Sequence, residues 1–218
     1  MSDTFLTLAA PAEAQFKEKA STFLALAAPA ASEAEARAVL AAREKLHWDA
    51  THNCSAWLLR DGVRRANDAG EPGGSAGAPI LAAIEGAGVT DCIVIVTRWY
   101  GGTKLGVGGL VRAYGDAAAQ ALEGAPRLRG TYAERIAITY PYAHTAAVMR
   151  AVERAAAEEM EHGYAPAGDA GIVRVSVPRS RVEALADELR EATAGAVAPE
   201  REGETVLYRN AGSGSAYS

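Results

Sequence analysis

The sequence predicts an α+β fold in two domains, and two observations carry this prediction. The chain has 218 residues, enough for one large domain or two small ones, each with a core of its own. A linker-like stretch at 126–130 separates two parts of the chain that differ in the spacing of their apolar residues. Beyond it the elements follow the order β-α-β-β-α-β, which is the ferredoxin-like plan. We therefore expect domains at residues 1–130 and 131–209, followed by a flexible tail at 210–218.

Periodicity and turn chemistry define the elements of the first part. Ser32 and Glu35 have the spacing of a capping box, and an apolar stripe at helical spacing follows them. Residues 67–79 are dense in Gly, Pro, Asn and Asp, which favours a loop. In order, the sequence predicts a helix over 32–47, strands over 54–59 and 63–66, that loop, a helix over 78–85 ending at Gly86 or Gly88, a strand over 92–96 and a helix over 110–122.

The elements of the second part are predicted from the same kinds of signal. Residues 134–140 place Ile136, Ile138 and Tyr140 on one face, as in a half-buried strand. Ser180 and Glu183 form a second predicted capping box. After the strand, the sequence predicts a helix over 145–159, a hairpin of 163–167 with 171–177, a helix opening at 180–183 and a strand over 204–209.

Composition narrows the classes of function. The chain is 49% hydrophobic and 22% charged, and it contains no apolar run long enough to span a bilayer. It has no basic, signal-like start, and its two cysteines, Cys54 and Cys92, are not spaced as a metal or redox pair. These features predict a cytoplasmic protein with reduced thiols.

The charge pattern points to one region. A formal net charge of −5 argues against a strongly electrostatic nucleic-acid binder. Residues 98–112, however, carry three cations and no acid. Any surface that faces an anion is therefore expected there.

This region contains a glycine-rich segment, residues 101–109, between a predicted strand and a predicted helix. A helix amino end presents unpaired N–H groups and a positive partial charge, so it suits a phosphate or a carboxylate. The segment lacks the G-K-[ST] context of a Walker A loop, and Val111 stands where a dinucleotide fingerprint needs its third glycine. Neither nucleotide motif is therefore present.

Three stretches of the chain, one of which includes the glycine-rich segment, resemble motifs of a single family. Residues 67–81 read NDAGEPGGSAGAPIL and resemble the DDGEP-GTAGKPML segment of the IMPACT/YigZ family. Residues 98–114 read RWYGGTKLGVGGLVRAY and resemble its R-[YFW]-[YFW]-G-G-x-x-L-G-x-G-G-L-x-x-A-Y signature. Residues 49–57 read DATHNCSAW and resemble its D-A-x-H-x-C-x-A-W segment. The resemblance covers about residues 16–122.

The resemblance implies an N-terminal βα domain like a small-subunit ribosomal protein and domain IV of elongation factor G. For the bacterial type it also implies a C-terminal ferredoxin-like domain, similar to domain V of that factor. Eukaryotic relatives act in translational control, whereas the bacterial type lacks their partner-binding extension. The family usually has S-R-F where this chain has Ser21, Thr22 and Phe23, so any role of that arginine is lost or moved.

The candidate ligand-binding or nucleic-acid-binding residues lie in and around the glycine-rich segment. They are Arg98, Tyr100, Gly101, Gly102, Lys104, Gly108, Gly109 and Arg112. In one interpretation they form an anion-facing surface on which Tyr100 or Trp99 stacks a base. In the other, the aromatics belong to the core, the glycines allow tight packing and the cations are solvated.

His52, Asp68 and Glu71 are candidate supporting residues. His52 and Cys54 share a face of a strand, which raises the alternatives of a metal site or a Cys–His nucleophile. Asp68 and Glu71 would either hold a metal or orient Arg98, or else Asp68 bonds its own loop and Glu71 pairs with a cation. The sequence favours the structural roles, with no catalytic residue, no metal and no cofactor.

Two classes of function remain in competition. The first is a non-enzymatic, translation-associated regulatory protein that contacts RNA, the ribosome or a regulatory protein through the glycine-rich basic face. The second is an enzyme that binds a small molecule or a nucleotide phosphate on residues 101–109. The first is preferred, because the only carboxylate in the first turns of the predicted helix is Asp116.

Overall fold

The computed structural model describes residues 3–211 of the chain. By spatial clustering these residues form two compact units, one of residues 6–129 with 210–211 and one of residues 3–5 with 130–209. Both contain helices packed on an antiparallel sheet, so the predicted α+β class is confirmed.

The described residues contain ten strands and five helices. The strands are β1 (Thr4–Leu8), β2 (Ala12–Glu18), β3 (Ser21–Pro29), β4 (His52–Leu58), β5 (Arg64–Asn67), β6 (Cys92–Trp99), β7 (Arg127–Pro141), β8 (Glu158–Tyr164), β9 (Ala170–Pro178) and β10 (Pro199–Asn210). The helices are α1 (Glu33–Leu46), α2 (Gly77–Ala87), α3 (Val107–Gly124), α4 (Thr145–Arg154) and α5 (Val182–Ala192). None of these helices is long and apolar enough to cross a membrane.

The larger unit is a five-stranded antiparallel sheet covered on both faces. The strand order is β2-β3-β6-β4-β5. On β6, Ile93 and Ile95 belong to the core beneath α1, whereas Val94 and Val96 belong to the core beneath α2 and α3. Because both faces are covered, β6 is continuously apolar rather than alternating.

The smaller unit follows the predicted order β7-α4-β8-β9-α5-β10. Its strands lie in the order β10-β7-β9-β8, and β7 also pairs with β1. Apolar residues of α4 and α5, such as Val148 and Leu185, pack with Ile136, Ile138 and Val175 of the sheet. The predicted hairpin is present as β8 and β9, although its first strand covers Glu158–Tyr164 rather than the predicted 163–167.

The linker predicted at 126–130 is wrong, because β7 begins at Arg127 and continues to Pro141. Pro126 and Gly130 suggested a break in structure, but Gly130 has a packing role. A Cβ atom there would lie 2.2 Å from Cζ of Phe5. The glycine therefore leaves room for an aromatic ring against the strand.

One of the two predicted capping boxes is present in the structure and the other is not. Ser32 Oγ accepts the N–H of Glu35 at 3.2 Å, as predicted, and Glu35 returns to the N–H of Ala31 at 2.8 Å. The box at Ser180 is wrong, since α5 begins at Val182 with no side-chain cap. The N–H of Ser180 instead donates to Asp3 Oδ2 at 2.8 Å.

Several element ends also differ from prediction. α4 ends at Arg154, because Ala156 has a φ of 51° and Glu158 begins β8. α3 begins at Val107, three residues before the predicted start. Strands β1 to β3 were not predicted. Of the predicted tail, Asn210 ends β10 and Ala211 donates its N–H to the Arg127 carbonyl at 3.0 Å, and residues 212–218 lie outside the described residues.

Candidate functional site

Strand register brings the first site residues together. In the sheet, Arg98 of β6 lies directly beside His52 of β4 on one side and Phe23 of β3 on the other. The next pair toward the centre of the sheet is Val96 with Cys54. Because side chains two residues apart share a face of a strand, all of these point to the side covered by α2 and α3.

Arg98 and Glu71 form a buried ion pair. Their side chains are 5% and 4% exposed, and Arg98 Nη1 donates to Glu71 Oε1 at 2.5 Å. The same carboxylate oxygen accepts the hydroxyl of Tyr114 at 2.8 Å, and Arg98 Nη2 donates to Ser21 Oγ at 3.2 Å. A buried pair of this kind is tolerated only when further hydrogen bonds satisfy both groups.

Asp68 organises the loop that carries Glu71. Its carboxylate accepts backbone N–H groups of Gly74 at 2.8 Å, Ala76 at 3.0 Å and Gly77 at 2.8 Å, where α2 begins. Desolvation opposes the charged form, but these three donors hold the pKa of Asp68 below its usual value. The geometry is that of a carboxylate bonded to its own loop, one of the two alternatives for this residue.

His52 is fixed in one orientation. Its Nδ1 lies 2.9 Å from the carbonyl oxygen of Ala69, and since a carbonyl only accepts, Nδ1 carries a proton and donates it. The opposite nitrogen, Nε2, lies 3.8 Å from Glu71 Oε1. His52 therefore lines the site without a short hydrogen bond to the Glu71 carboxylate.

Cys54 is not arranged as a nucleophile. Its Sγ donates to the carbonyl of Asp68 at 3.0 Å, and burial raises the pKa of its thiol to about 12. A reactive cysteine needs a lowered pKa and an exposed, electropositive setting. Nor do residues 3–211 contain a group of three or more His, Cys, Asp or Glu side chains that could hold a metal ion.

A cavity of about 440 Å³ opens between these residues and the amino end of α3. We call it the α3 pocket. Its lining residues are Thr51, His52, Glu71, Pro72, Arg98, Tyr100, Lys104, Leu105, Gly106, Val107 and Leu110. The amino end of α3 has no side-chain cap and no acidic residue in its first turn, so its N–H groups and positive partial charge are not offset there.

Two glycines explain the path of the glycine-rich segment. At Gly101 a Cβ atom would lie 1.8 Å from the carbonyl oxygen of Ala20, so only glycine fits against that turn. Gly106 has a φ of 75° and occupies the N-cap position of α3. Positive φ favours glycine, and a glycine here has no side chain with which to cap the helix.

The structure brings some of the predicted residues together and separates others. Arg98, Tyr100, Lys104, His52 and Glu71 all line the α3 pocket. Asp68 lies in the loop behind Glu71. Gly101, Gly102 and Gly108 do not line the cavity, and a smaller hollow of about 70 Å³ contains Gly109 and Arg112.

Sequence reasoning missed other residues of this region. Thr51, Pro72, Leu105 and Val107 line the pocket but carry no charge that would mark them. Trp48, which does not line the pocket, was also missed, and this residue is 84% exposed. Its position one residue before the D-A-x-H-x-C-x-A-W segment was the available signal.

The chain is similar in sequence to members of one protein family. The Impact N-terminal domain family matches residues 19–122. The chain is 46% identical over 137 residues to "IMPACT family member in pol 5'region" of Thermus thermophilus, a match covering 63% of this chain and 74% of that protein. It is 38% identical over 124 residues to "IMPACT family member YvyE" of Bacillus subtilis, covering 56% of this chain and 57% of that protein.

A further curated protein and a solved structure are also similar to the chain. The chain is 37% identical over 124 residues to "IMPACT family member YigZ" of Escherichia coli, covering 55% of this chain and 61% of that protein. The matches thus span less than two thirds of YvyE and YigZ. A crystal structure described as "an hypothetical protein" superposes with a TM-score of 0.63 at 28% identity, covering 91% of this chain and 97% of that one. On these matches, the chain belongs to the IMPACT family.

Proposed function

We propose that this chain is a cytoplasmic, non-enzymatic, translation-associated regulatory protein that contacts RNA, on the ribosome or free, through the amino end of α3. The observation that carries the proposal is the uncapped amino end of an 18-residue helix, with the exposed cation Lys104 before it and the exposed cation Arg112 in its second turn. Within residues 3–211 neither cation forms an ion pair. Membership of the IMPACT family supports the translational setting.

The surroundings of Lys104 suit a phosphate backbone, whereas Arg112 shares its small hollow with Glu18 and Asp116. Phosphate contacts in RNA-binding proteins come from Lys, Arg and helix amino ends. Tyr100, 43% exposed beside them, offers a ring on which an unpaired base can stack. Because the chain's net charge is −5, attraction to a phosphate has to come from local cations rather than from the charge of the whole chain.

A second candidate has its own observation. Trp48 and Leu46 at the end of α1 are both largely exposed, and exposed tryptophans are frequent anchors of protein interfaces. A regulatory protein docked there would give a shallow dependence on salt, whereas phosphate contacts give a steep one. The salt series below therefore separates the two candidates.

The test is co-sedimentation of the full chain with ribosomes across a salt series, with and without nuclease. Each lost phosphate contact should reduce the slope of log affinity against log salt by about one. The double variant Lys104→Ala/Arg112→Ala should therefore bind more weakly, with a slope smaller by about two.

The matched control is Arg150→Ala/Arg190→Ala, which removes the same charge from α4 and α5. We expect this variant to bind like the unmodified chain. Equal binding and equal slopes for both double variants would contradict the proposal for α3. If binding depended only weakly on salt and Trp48→Ala abolished it, the result would instead support docking of a protein at Trp48.

A further inference from the structure

We propose that β8, the outermost strand of the sheet in the smaller unit, binds an extended basic segment of a partner protein, which adds to the sheet as a further strand. This inference goes beyond the RNA contact at α3 and does not depend on it. In strand addition at a sheet edge, main-chain hydrogen bonds give affinity and side-chain contacts give specificity.

The position of β8 leaves one of its edges open. The strand order is β10-β7-β9-β8, so β9 is the neighbour of β8 among residues 3–211. The residues along β8 are accessible, with Met160 45% exposed and Tyr164 77% exposed. An edge strand presents N–H and C=O groups that can pair with another chain.

The backbone groups that face outward follow from the alternation of hydrogen bonds in an antiparallel ladder. Ala165 donates its N–H to the Ala170 carbonyl at 2.9 Å. The backbone groups of Gly163, two residues earlier, therefore also point toward β9. Those of His162 and Tyr164 point the other way, so two N–H and two C=O groups are available to an added strand.

The side chains of β8 make this edge acidic. The strand contains Glu158, Glu159 and Glu161 and no Lys or Arg. Glu158 pairs with Arg209 at 2.6 Å, and Glu159 accepts the hydroxyl of Ser176 at 2.6 Å. Glu161 is exposed and forms no ion pair with any residue within 3–211. A Lys or Arg side chain on an added strand is the counter-charge that Glu161 lacks.

A hollow of about 400 Å³ adjoins β8 on the face of the sheet turned away from α4 and α5. Val173 and Val175 of β9 belong to the core on the helix side, so Arg174 between them points to the opposite face. Glu161 is paired with Arg174 in the ladder and shares that face. Both line the hollow. Because strands lie about 4.8 Å apart, a long basic side chain on an added strand meets Glu161 at the rim.

The cations of the hollow do not cancel this preference. Arg174 donates its Nε to Glu202 at 3.0 Å, so this pair is close to neutral. Arg135 lies on β7, two strands away from the open edge. Glu159 and Glu161 both lie on the edge strand itself. The rim beside an added strand is therefore negative.

A bulge limits the length of the partner segment. The register of β8 against β9 shifts between Glu158 and Glu161, and Glu159 has a φ of 53°. Bulges disrupt the ladder and bend the strand, which discourages long regular pairing at an edge. The regular part of β8 runs from Glu161 to Tyr164. We therefore expect a short extended segment rather than a long strand.

A second copy of the chain fits this edge less well than a basic segment does. Pairing β8 with β8 of another copy would bring three further glutamates to the same edge. Like charges across a strand pair or an interface are destabilising. The charge of β8 thus favours a partner of opposite sign.

The experiment is a fluorescence anisotropy titration of the full chain, at low salt, with three labelled hexapeptides of blocked ends. They are KVKVKV, KPKPKP and EVEVEV. KPKPKP has the same charge as KVKVKV, but its prolines cannot donate main-chain hydrogen bonds. We expect KVKVKV to bind tenfold or more tightly than either of the others. Equal binding of KVKVKV and KPKPKP would indicate attraction by charge without strand addition and would overturn the inference, as would absence of binding at millimolar peptide.

Two charge reversals locate the peptide. Glu161→Lys removes the unpaired carboxylate of β8, and Glu191→Lys makes the same change at an exposed position of α5. We expect the affinity for KVKVKV to fall at least fivefold in Glu161→Lys and to be unchanged in Glu191→Lys. Equal affinities in the two variants would place the peptide elsewhere and overturn the inference.

Hydrogen exchange of the backbone amides tests strand addition without any substitution. With excess KVKVKV, the amides of His162 and Tyr164 should exchange at least tenfold more slowly. Unchanged exchange at both amides in the peptide-bound chain would overturn the inference. Protection of the same amides without peptide, in a concentration-dependent dimer, would show that a second copy covers β8 and would also overturn it.

Discussion

Replacing Glu71 by glutamine is expected to lower the free energy of unfolding by about 3–5 kcal/mol, the range found when one partner of a buried ion pair is removed. The amide keeps an acceptor for Tyr114 but leaves the Arg98 charge buried without a counter-charge. Desolvating an unpaired charge costs more than the lost hydrogen bond itself. Urea unfolding monitored by tryptophan fluorescence measures this change.

The control is the double variant Arg98→Met/Glu71→Gln. Methionine fills a similar space without a charge, so the double variant should lose clearly less stability than Glu71→Gln alone. The coupling energy is the loss in the double variant minus the sum of the losses in the two single variants, and a nonzero value identifies the pair as the cause. If the losses of Arg98→Met and Glu71→Gln simply added in the double variant, the two side chains would not act as a buried pair.

The second large effect is expected within the glycine-rich segment, where one substitution should have opposite signs at two positions. Gly101→Ala places a Cβ atom 1.8 Å from the Ala20 carbonyl oxygen, and backbone must move to accept it. We expect a loss of about 3 kcal/mol, at the upper end of typical overpacking costs. Gly108→Ala should instead stabilise by about 0.5 kcal/mol, because alanine is the better helix residue, although Gly108 lies in the first turn rather than in the helix interior.

Gly108 is the matched site because its nearest neighbour to an added Cβ is Arg112 Nη1 at 3.8 Å, and its φ is not positive. Thermal unfolding of the two variants beside the unmodified chain gives both signs in one experiment. If Gly101→Ala melted at the temperature of the unmodified chain, close packing against Ala20 would not explain that glycine.

Much of the fold could be predicted because local signals agree with it. The Ser32 cap, the Gly88 stop of α2 and the apolar β6 all follow from residue chemistry within a few positions. The β-α-β-β-α-β order also followed from periodicity together with turn residues and a predicted capping box. Strand β3 was missed because small residues such as Ala25 and Ala27 carry little β-propensity, although in the structure both are fully buried.

The site was predicted less completely because its residues come from separate elements. The cations near α3 were found from local charge, but the role of Arg98 depends on strand register. Only the pairing of β6 with β4 and β3 places Arg98 beside His52 and Phe23, under the loop that carries Glu71. Sequence spacing contains no information on that enclosure, so Arg98 was assigned to a surface although it is buried.

The most direct test of the central claim is an amide chemical-shift titration of the isotope-labelled full chain with a short, 5′-phosphorylated oligoribonucleotide. We expect the amide signals of Val107, Gly108 and Gly109 to shift together on addition of RNA. The chemical shifts of amides in α4 near Arg150 should not change. Shifts confined to other parts of the chain, with the first turn of α3 unchanged, would contradict the claim that this helix end binds RNA.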